Sequence, residues 1–499
     1  MLRELALLLS ATSIPAWAGS VQLLPSLPNA AVSKAIQVDA AGNLYVAGSM
    51  TPQHPQSPQD DSDAFVAKVS ADGSKLLYFT ILAGSFTDAA AAIALGSDGS
   101  AYVTGSTGSS DFPVTTGALQ TTFSTAGASQ GFLVKVNPAG AVVYSTYING
   151  TTYTQATGIA IGRAGEVFLT GMGGPGFPVD RGLPAQGFIL KLDAGLSNVL
   201  LSIYGYGGGL IALDSQGNIY LAGNAQPIGT EIKSTPGLIW ELPPLSLGAF
   251  QSGHFGEFCF QSSGPGMGLA TFCPDQYVAK LDATGKLLWG TYVTGTYGAV
   301  AAGMAVDSAG NVIVAGTTNS DDYPVTPGAF QTAYTAAAPQ PPGSGVAFIG
   351  PANAIGYVTK VNATGTGLVW STYFGGSYQD QITGMAVNPA GDIILSGRAG
   401  SSDLFFADTP DGCRPSANQV LGFVARLAPD GASAAATQLV PGAPDCLYTS
   451  CQGARHVSRR VAAGAPAGRN GGGRGFERQP GFHRFLGHQP PRVPGRSGG

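Results

Sequence analysis

The stretch AIQVDAAGNLYVAGS at residues 35–49, resumed as DAFVAKVSADGSKLLYFT at residues 63–80, decides the fold. Its apolar runs are short and rich in Val, Tyr and Phe, which is strand composition, and they are too short for helices. The runs are separated by DAAG (39–42) and SADG (70–73). In the first of these turns Asp binds its own backbone and Gly supplies the left-handed conformation that closes a hairpin. The stretch therefore reads as two consecutive hairpins, one four-stranded antiparallel unit.

The same pattern is written six times. Turn glycines recur at Gly42, Gly99, Gly165, Gly217, Gly310 and Gly391. A second glycine follows each by six residues, at Gly48, Gly105, Gly171, Gly223, Gly316 and Gly397. The second hairpin reads FVAKV, FLVKV, FILKL, YVAKL, YVTKV and FVARL, with its basic residue at Lys68, Lys135, Lys191, Lys280, Lys360 and Arg426. One four-stranded sheet cannot bury both faces, but several arranged radially can. The expected fold is all-β: a β-propeller of six detectable four-stranded blades, with a seventh, incomplete blade as the alternative. Copies start near residues 35, 92, 158, 210, 303 and 384, and the propeller is placed at 19–445.

The runs G-N-x-Y-V-A-G, aromatic-Pro-Val-Thr-x-Gly-Ala-(Leu/Phe)-Gln and F-V-x-K-V-(N/D)-x-x-G resemble the bacterial SBBP β-propeller repeat, over about Ala35 to Ala428. The resemblance implies the propeller fold and an exported or surface protein. It implies no shared activity, and no functional residues come with it.

Spacing adds a direction. From each basic residue to the next turn glycine the count is 31, 30, 26, 30 and 31. From turn glycine to basic residue within a copy it is 26, 36, 26, 63, 50 and 35. Length variation thus falls between second and third strands, and in a propeller those connections leave on one face together with the inter-blade links. Insertions on one face point to a binding face.

Residues 1–18 read as a secretory signal: Arg3, an apolar stretch from Leu5 to Trp17, and Ala16-Trp17-Ala18 as the cleavage site. No apolar run reaches the ~18 residues of a membrane span. An exported protein is expected, extracellular, at the cell surface or periplasmic, and a monomer. The segment from Val21 to Lys34 precedes the first copy, and Val21-Gln-Leu-Leu is placed as a strand closing the ring. Residues 1–450 hold 15 basic and 28 acidic residues, a net of −13, which excludes nucleic-acid binding by the body. Residues 451–499 hold nine of the fifteen Arg, one Glu and no Lys or Asp, a net of +8. The segment 446–499 reads as an Arg/Gly/Pro-rich disordered tail or as the product of a reading-frame error.

The fourth copy carries the longest insertion, roughly 225–276, with Trp240, His254, Phe255, Phe258 and Phe260. These aromatics and the histidine are the candidate ligand-binding residues, since they offer stacking area to sugars or peptides. Cys259 and Cys273 in the same insertion are a candidate disulfide, Cys413 and Cys446 a second, with Cys451 left over. Asp60, Asp61 and Asp63 could hold Ca²⁺ but lack the glycine and distal Glu of a calcium loop, so a solvated acidic loop is expected, and no cofactor. The loops DFPVTTGALQTTF (111–123) and DYPVTPGAFQTAY (322–334), with shorter echoes at 176–179 and 248–251, read as a structural arc because they recur. Gly127-Ala-Ser129-Gln-Gly131 matches a nucleophile elbow but lacks the strand-to-helix setting that motif needs. The expected function is a non-catalytic exported binding module for a glycan or protein, acting through the insertion-bearing face. The alternatives are a polysaccharide-active hydrolase or lyase, with carboxylates from separate blades, and a purely structural surface module.

Overall fold

A computed structural model describes residues 27, 31–51, 62–124, 129–150, 153–173, 187–204, 209–225, 244–253, 258–262, 268–336, 354–401, 404 and 421–439. These residues form six four-stranded antiparallel blades and contain no helix. Blade 1 is β1 (Val32–Val38), β2 (Leu44–Met50), β3 (Asp63–Val69) and β4 (Leu76–Leu82). Blade 2 is β5 (Asp88–Leu95), β6 (Ala101–Thr107), β7 (Gln130–Val136) and β8 (Val142–Ile148). Blade 3 is β9 (Thr154–Ile161), β10 (Val167–Gly173), β11 (Gly187–Leu192) and β12 (Val199–Tyr204). Blade 4 comprises β13 (Gly209–Leu213), β14 (Ile219–Ala225), β17 (Asp275–Leu281) and β18 (Leu287–Tyr292); between its second and third strands lies a separate hairpin, β15 (Phe258–Ser262) and β16 (Gly268–Phe272). Blade 5 is β19 (Ala299–Val306), β20 (Val312–Thr318), β21 (Ile355–Val361) and β22 (Leu368–Phe374). Blade 6 is β23 (Asp380–Val387), β24 (Ile393–Ala399), β25 (Leu421–Leu427) and β26 (Ala434–Leu439).

Both recurrent glycines have a physical reason. Gly42 has φ +84° and donates its N–H to Asp39 O at 2.9 Å, closing the first hairpin as its sequence required. The second glycine faces a bulge in the first strand: the register shifts between Ala301 and Gly303 where Gly316 lies, and a Cβ on Gly316 would collide with Val300 O. The same collision meets Gly48, Gly105, Gly171 and Gly397, so the repeat keeps a glycine wherever the bulged backbone crosses close.

Successive blades pack through their first strands: β5 against β1, β9 against β5, β13 against β9, β19 against β13, and β23 against β19. First strands therefore line the axis, and second and third strands are the fully buried middle of each sheet. Fourth strands hold the next blade from outside. Tyr144 Oη donates to Leu196 O (2.8 Å), Trp289 Nε1 to Ala363 O (2.8 Å) and Trp370 Nε1 to Pro429 O (3.0 Å), each a turn residue of the following blade. Trp289 and Trp370 lie flat enough on Gly365 and Gly431 that a Cβ on either would come within 2.5 Å of the indole. The face of blade 1 turned away from blade 2, with Val46, Met50, Phe65 and Ala67, is covered in part by Leu27 and Ala31, which precede β1. The expected closing strand at Val21–Leu24 lies outside the described residues, and no seventh blade occurs among the described ones.

Candidate functional site

The two ends of the propeller differ in chemistry. At one end are the turns between first and second strands, and here each of the six basic residues meets a carboxylate of its own blade. The pairs are Lys68–Asp39 (3.5 Å), Lys135–Asp98 (3.0 Å), Lys191–Glu166 (3.4 Å), Lys280–Asp214 (3.5 Å), Lys360–Asp307 (2.8 Å) and Arg426–Asp392 (2.8 Å). Four of the lysines also lie 4.6–5.0 Å from the centroid of a second-strand aromatic ring, Tyr45, Tyr102, Phe168 or Tyr220. The basic residues thus pair within their own blades, and these six leave no cationic ring for an anion. Burial works to raise the carboxyls of Asp39, Asp98 and Asp307, but hydrogen bonds from Asn43, Ser100, Asn311 and the lysines outweigh it and hold them below the ordinary range.

The other end carries the inter-blade links and the long second-to-third-strand connections. They are stitched together there. Asp111 accepts from Ser85 N (2.8 Å) and from Ser85 Oγ; Asp322 accepts from Thr296 N (2.9 Å) and Thr296 Oγ1 (2.5 Å). The recurrent D-(F/Y)-P-V-T loops prove structural. Phe112 and Tyr323 are buried plugs, stacked on Phe132 at 4.9 Å and tilted against Tyr357 at 4.6 Å. The following residues strap the exposed edge of the outer strand: Thr115 N bonds Ser145 O, Tyr147 N bonds Gln120 O, Thr326 N bonds Ser371 O, and Tyr373 N bonds Gln331 O. The echo at 248–251 does the same in blade 4, where Tyr292 N bonds Gln251 O and Gln251 Oε1 accepts from Thr294 N. Covering that edge denies it to other chains.

On this loop face an aromatic residue recurs in the inter-blade links, one or two residues before a first strand: Phe86, Tyr153, Tyr297 and Tyr378. Phe86 is 56% exposed, Tyr153 41% and Tyr378 43%, while Tyr297 is half-buried. All four therefore lie on the loop face, immediately ahead of the strands through which successive blades pack. Their backbones are clamped. Phe86 N, Tyr297 N and Tyr378 N each donate to a serine hydroxyl, Ser109, Ser320 and Ser401, at 2.8 Å. Ser109 in turn donates to Asp88 Oδ2 (3.0 Å) and Ser401 to Asp380 Oδ2 (2.6 Å). Sequence reasoning missed this collar. The signal was present as G-x-(F/Y) ahead of three first strands, at Gly84, Gly295 and Gly376, but a lone aromatic after a glycine does not reveal where the strand after it points.

Burial pushes the Asp88 carboxyl up to about 6, against the pull of hydrogen bonds from Thr107, Gly84 and Ser109 and helped by the neighbouring Asp63 charge. Asp380 is raised for the same leading reason. Asp63 and Asp88 come from adjacent blades, joined by Asp88 N bonding Ser62 O, but are 2% and 0% exposed and face no substrate. Asp63 is the first residue of β3 and is buried; Asp60 and Asp61 lie outside the described residues. Among the described residues no group of three His, Cys, Asp or Glu could hold a metal ion. Phe258 and Phe260 lie on β15, opposite Phe272 and Ala270, but their side chains, and all of Trp240, His254 and Phe255, are outside the described residues. Cys273 is buried directly after β16; the side chains of Cys259, Cys413 and Cys446 fall outside. Ser129, at the centre of the G-x-S-x-G match, precedes a strand and offers its carbonyl to Thr154 N, with no helix behind it.

Fold and repeat together define an all-β propeller. The family model of the SBBP beta-propeller repeat matches residues 288–324, so the chain carries the SBBP repeat that its sequence resembles. The matched span includes Tyr297 and its clamp Ser320. No curated protein matches the chain. Solved structures similar to it include the Neurospora crassa Pan2 WD40 domain (8% identity, 73% of this chain and 75% of that chain, TM-score 0.34). A polysaccharide lyase PL25 ulvan lyase (10%, 81% and 82%, TM-score 0.43) and BamB from Moraxella catarrhalis (10%, 82% and 86%, TM-score 0.31) are similar at the same level. Likenesses of this order say nothing about what the chain binds. No helix among the described residues is long and apolar enough to cross a membrane.

Proposed function

We propose that the chain is an exported, non-catalytic binding module that holds a glycan or protein through its loop face. The observation that carries this reading is the asymmetry of the two ends: cations and turn carboxylates neutralise each other at one, while exposed aromatics on clamped backbones collect at the other. The insertion between β14 and β17 belongs to that same face, since its strap ends at Gln251 beside the link that begins at Thr294. The Cys259–Cys273 disulfide is part of the proposal. It is supported by Cys273 being disulfide-bonded and by the β15–β16 register, in which Cys259 faces Thr271, putting Cys273 two residues further on the same face. The secretory signal at 1–18, a monomeric state and the absence of a cofactor complete the reading.

The test is a thermal-shift screen of the chain with neutral and acidic oligosaccharides, with Ca²⁺ and with EDTA, since a ligand of the folded state must raise the melting temperature. A variant with residues 254–272 replaced by a Gly-Ser linker and carrying Cys273→Ser should lose the shift. A shift that survives unchanged in that variant removes the insertion from the site; no shift with any probe, from a cooperatively folding sample, favours the structural module.

A further inference from the structure

The four link aromatics narrow the ligand class, on the condition that the loop face is the binding face. We propose that Phe86, Tyr153, Tyr297 and Tyr378 form a collar on the loop face that binds an uncharged oligosaccharide. Three lines lead there.

The first is that the aromatics are held in place yet exposed. The serine clamps fix three of the four backbones, and one ring lies close over a glycine: a Cβ on Gly400 would stand 2.9 Å from Tyr378 Cδ1. Large aromatics on a protein surface are normally exposed singly, whereas here Phe86, Tyr297 and Tyr378 recur two residues ahead of a first strand and Tyr153 one residue ahead. Rigid rings of this kind lose little conformational entropy on binding.

The second is the exclusion of a peptide strand. Recognition of an extended peptide by strand addition needs unpaired backbone donors and acceptors. Here Phe86 N, Tyr297 N and Tyr378 N are spent on serines, Gly84 N and Gly376 N on Asp88 and Asp380, and Asp88 N and Asp380 N on the carbonyls of Ser62 and Ala354. These links still offer ring faces and side-chain hydroxyls. The electron-rich face of an aromatic ring attracts the weakly positive C–H groups of a pyranose, and neighbouring Ser and Thr hydroxyls can exchange hydrogen bonds with its OH groups.

The third is charge. Among the described residues Asp111, Asp321 and Asp322 are exposed on this face against Lys34 and Arg398 at the loop ends of β1 and β24, while the other described basic residues lie at the turn end. A uronic-acid or sulfated chain would meet like charge; a neutral one would not.

The experiment is isothermal titration of the chain with cellohexaose, maltohexaose, laminarihexaose, xylohexaose and chitohexaose, with a hexamer of galacturonic acid as the charged counterpart. At least one neutral hexamer should bind, more tightly than the charged one and with little dependence on salt. Phe86→Ala, Tyr153→Ala and Tyr378→Ala should each weaken binding about three- to tenfold, the usual worth of one stacked ring, while Tyr378→Phe retains most of it. Each variant should melt within a few degrees of the parent, because the rings are exposed. The proposal is overturned if the folded parent binds none of the neutral hexamers at millimolar concentration, if the triple alanine variant binds as well as the parent, or if the charged hexamer binds best. Its failure is distinct from failure of the broader reading: the loop face remains a binding face if cross-linking captures a protein on the parent that is lost when residues 254–272 are replaced.

Discussion

Asp88→Asn should make the propeller more stable at neutral pH and less sensitive to pH. The Asp88 carboxyl is completely buried between blades 1 and 2 and titrates near 6, against an ordinary value of 3.8. The unfolded chain gives up this proton near pH 4, whereas the folded chain keeps it to about pH 6. Between those values the unfolded state binds fewer protons, so stability falls as pH rises, and above pH 6 the loss is constant. Two pKa units correspond to about 3 kcal/mol. Asparagine has the same shape, and its carbonyl can accept the bonds that Asp88 Oδ2 now takes from Gly84 N (2.7 Å) and Ser109 Oγ (3.0 Å). The variant should therefore recover one to a few kcal/mol at pH 7.5, and should show no gain at pH 3.5. Urea midpoints measured from pH 3.5 to 8 with unchanged m-value read this directly. A variant that is destabilised by more than about 1 kcal/mol at pH 7.5, or that keeps the parent's loss of stability between pH 4 and 6, refutes the reasoning, because it would mean that the charged form is the one the fold requires.

Other contacts carry expectations of their own. Asp307→Asn and Lys360→Met should each cost only about 0.5–1 kcal/mol in urea unfolding, since the pair is partly exposed, although Asp307 is held low and its share of stability is lost as pH falls below about 4. Trp370→Ala should cost about 3–5 kcal/mol, because it empties the interface with blade 6 and strands Pro429 O without its indole donor. Gly431→Ala should be strongly destabilising at the same interface, since its φ is +69° and the new Cβ would come within 2.5 Å of Trp370; thermal melts of the two variants would show both. Gln331→Leu should cost about 1–2 kcal/mol by leaving Gly375 N without the Oε1 acceptor, and the strap at 326–331 should then exchange its amide hydrogens faster.

The sequence by itself determined the blade. Short apolar runs, Asp-to-Gly turns and a second glycine six residues after each turn glycine act within about thirty residues, so each copy records its own hairpins, and six copies record the repeat. Local pairing was equally legible: Lys68 and Asp39 share one blade, and a basic residue recurs at the same third-strand position in every copy. The role of the D-(F/Y)-P-V-T loops could be read as structural because they recur, although only the tertiary structure shows that Phe112 and Tyr323 are plugs and that Gln120 and Gln331 strap the outer strand. Asp63 illustrates the limit. In sequence it stands in a run of acidic residues; its own place, at the start of β3, buried and next to Asp88 of the following blade, is visible only in the structure. The collar is decided wholly at that level. Phe86, Tyr153, Tyr297 and Tyr378 are separated by 67, 144 and 81 positions, and no local rule relates them. They share one face because packing of first strands against one another, a contact between blades rather than within them, sets where each link ends.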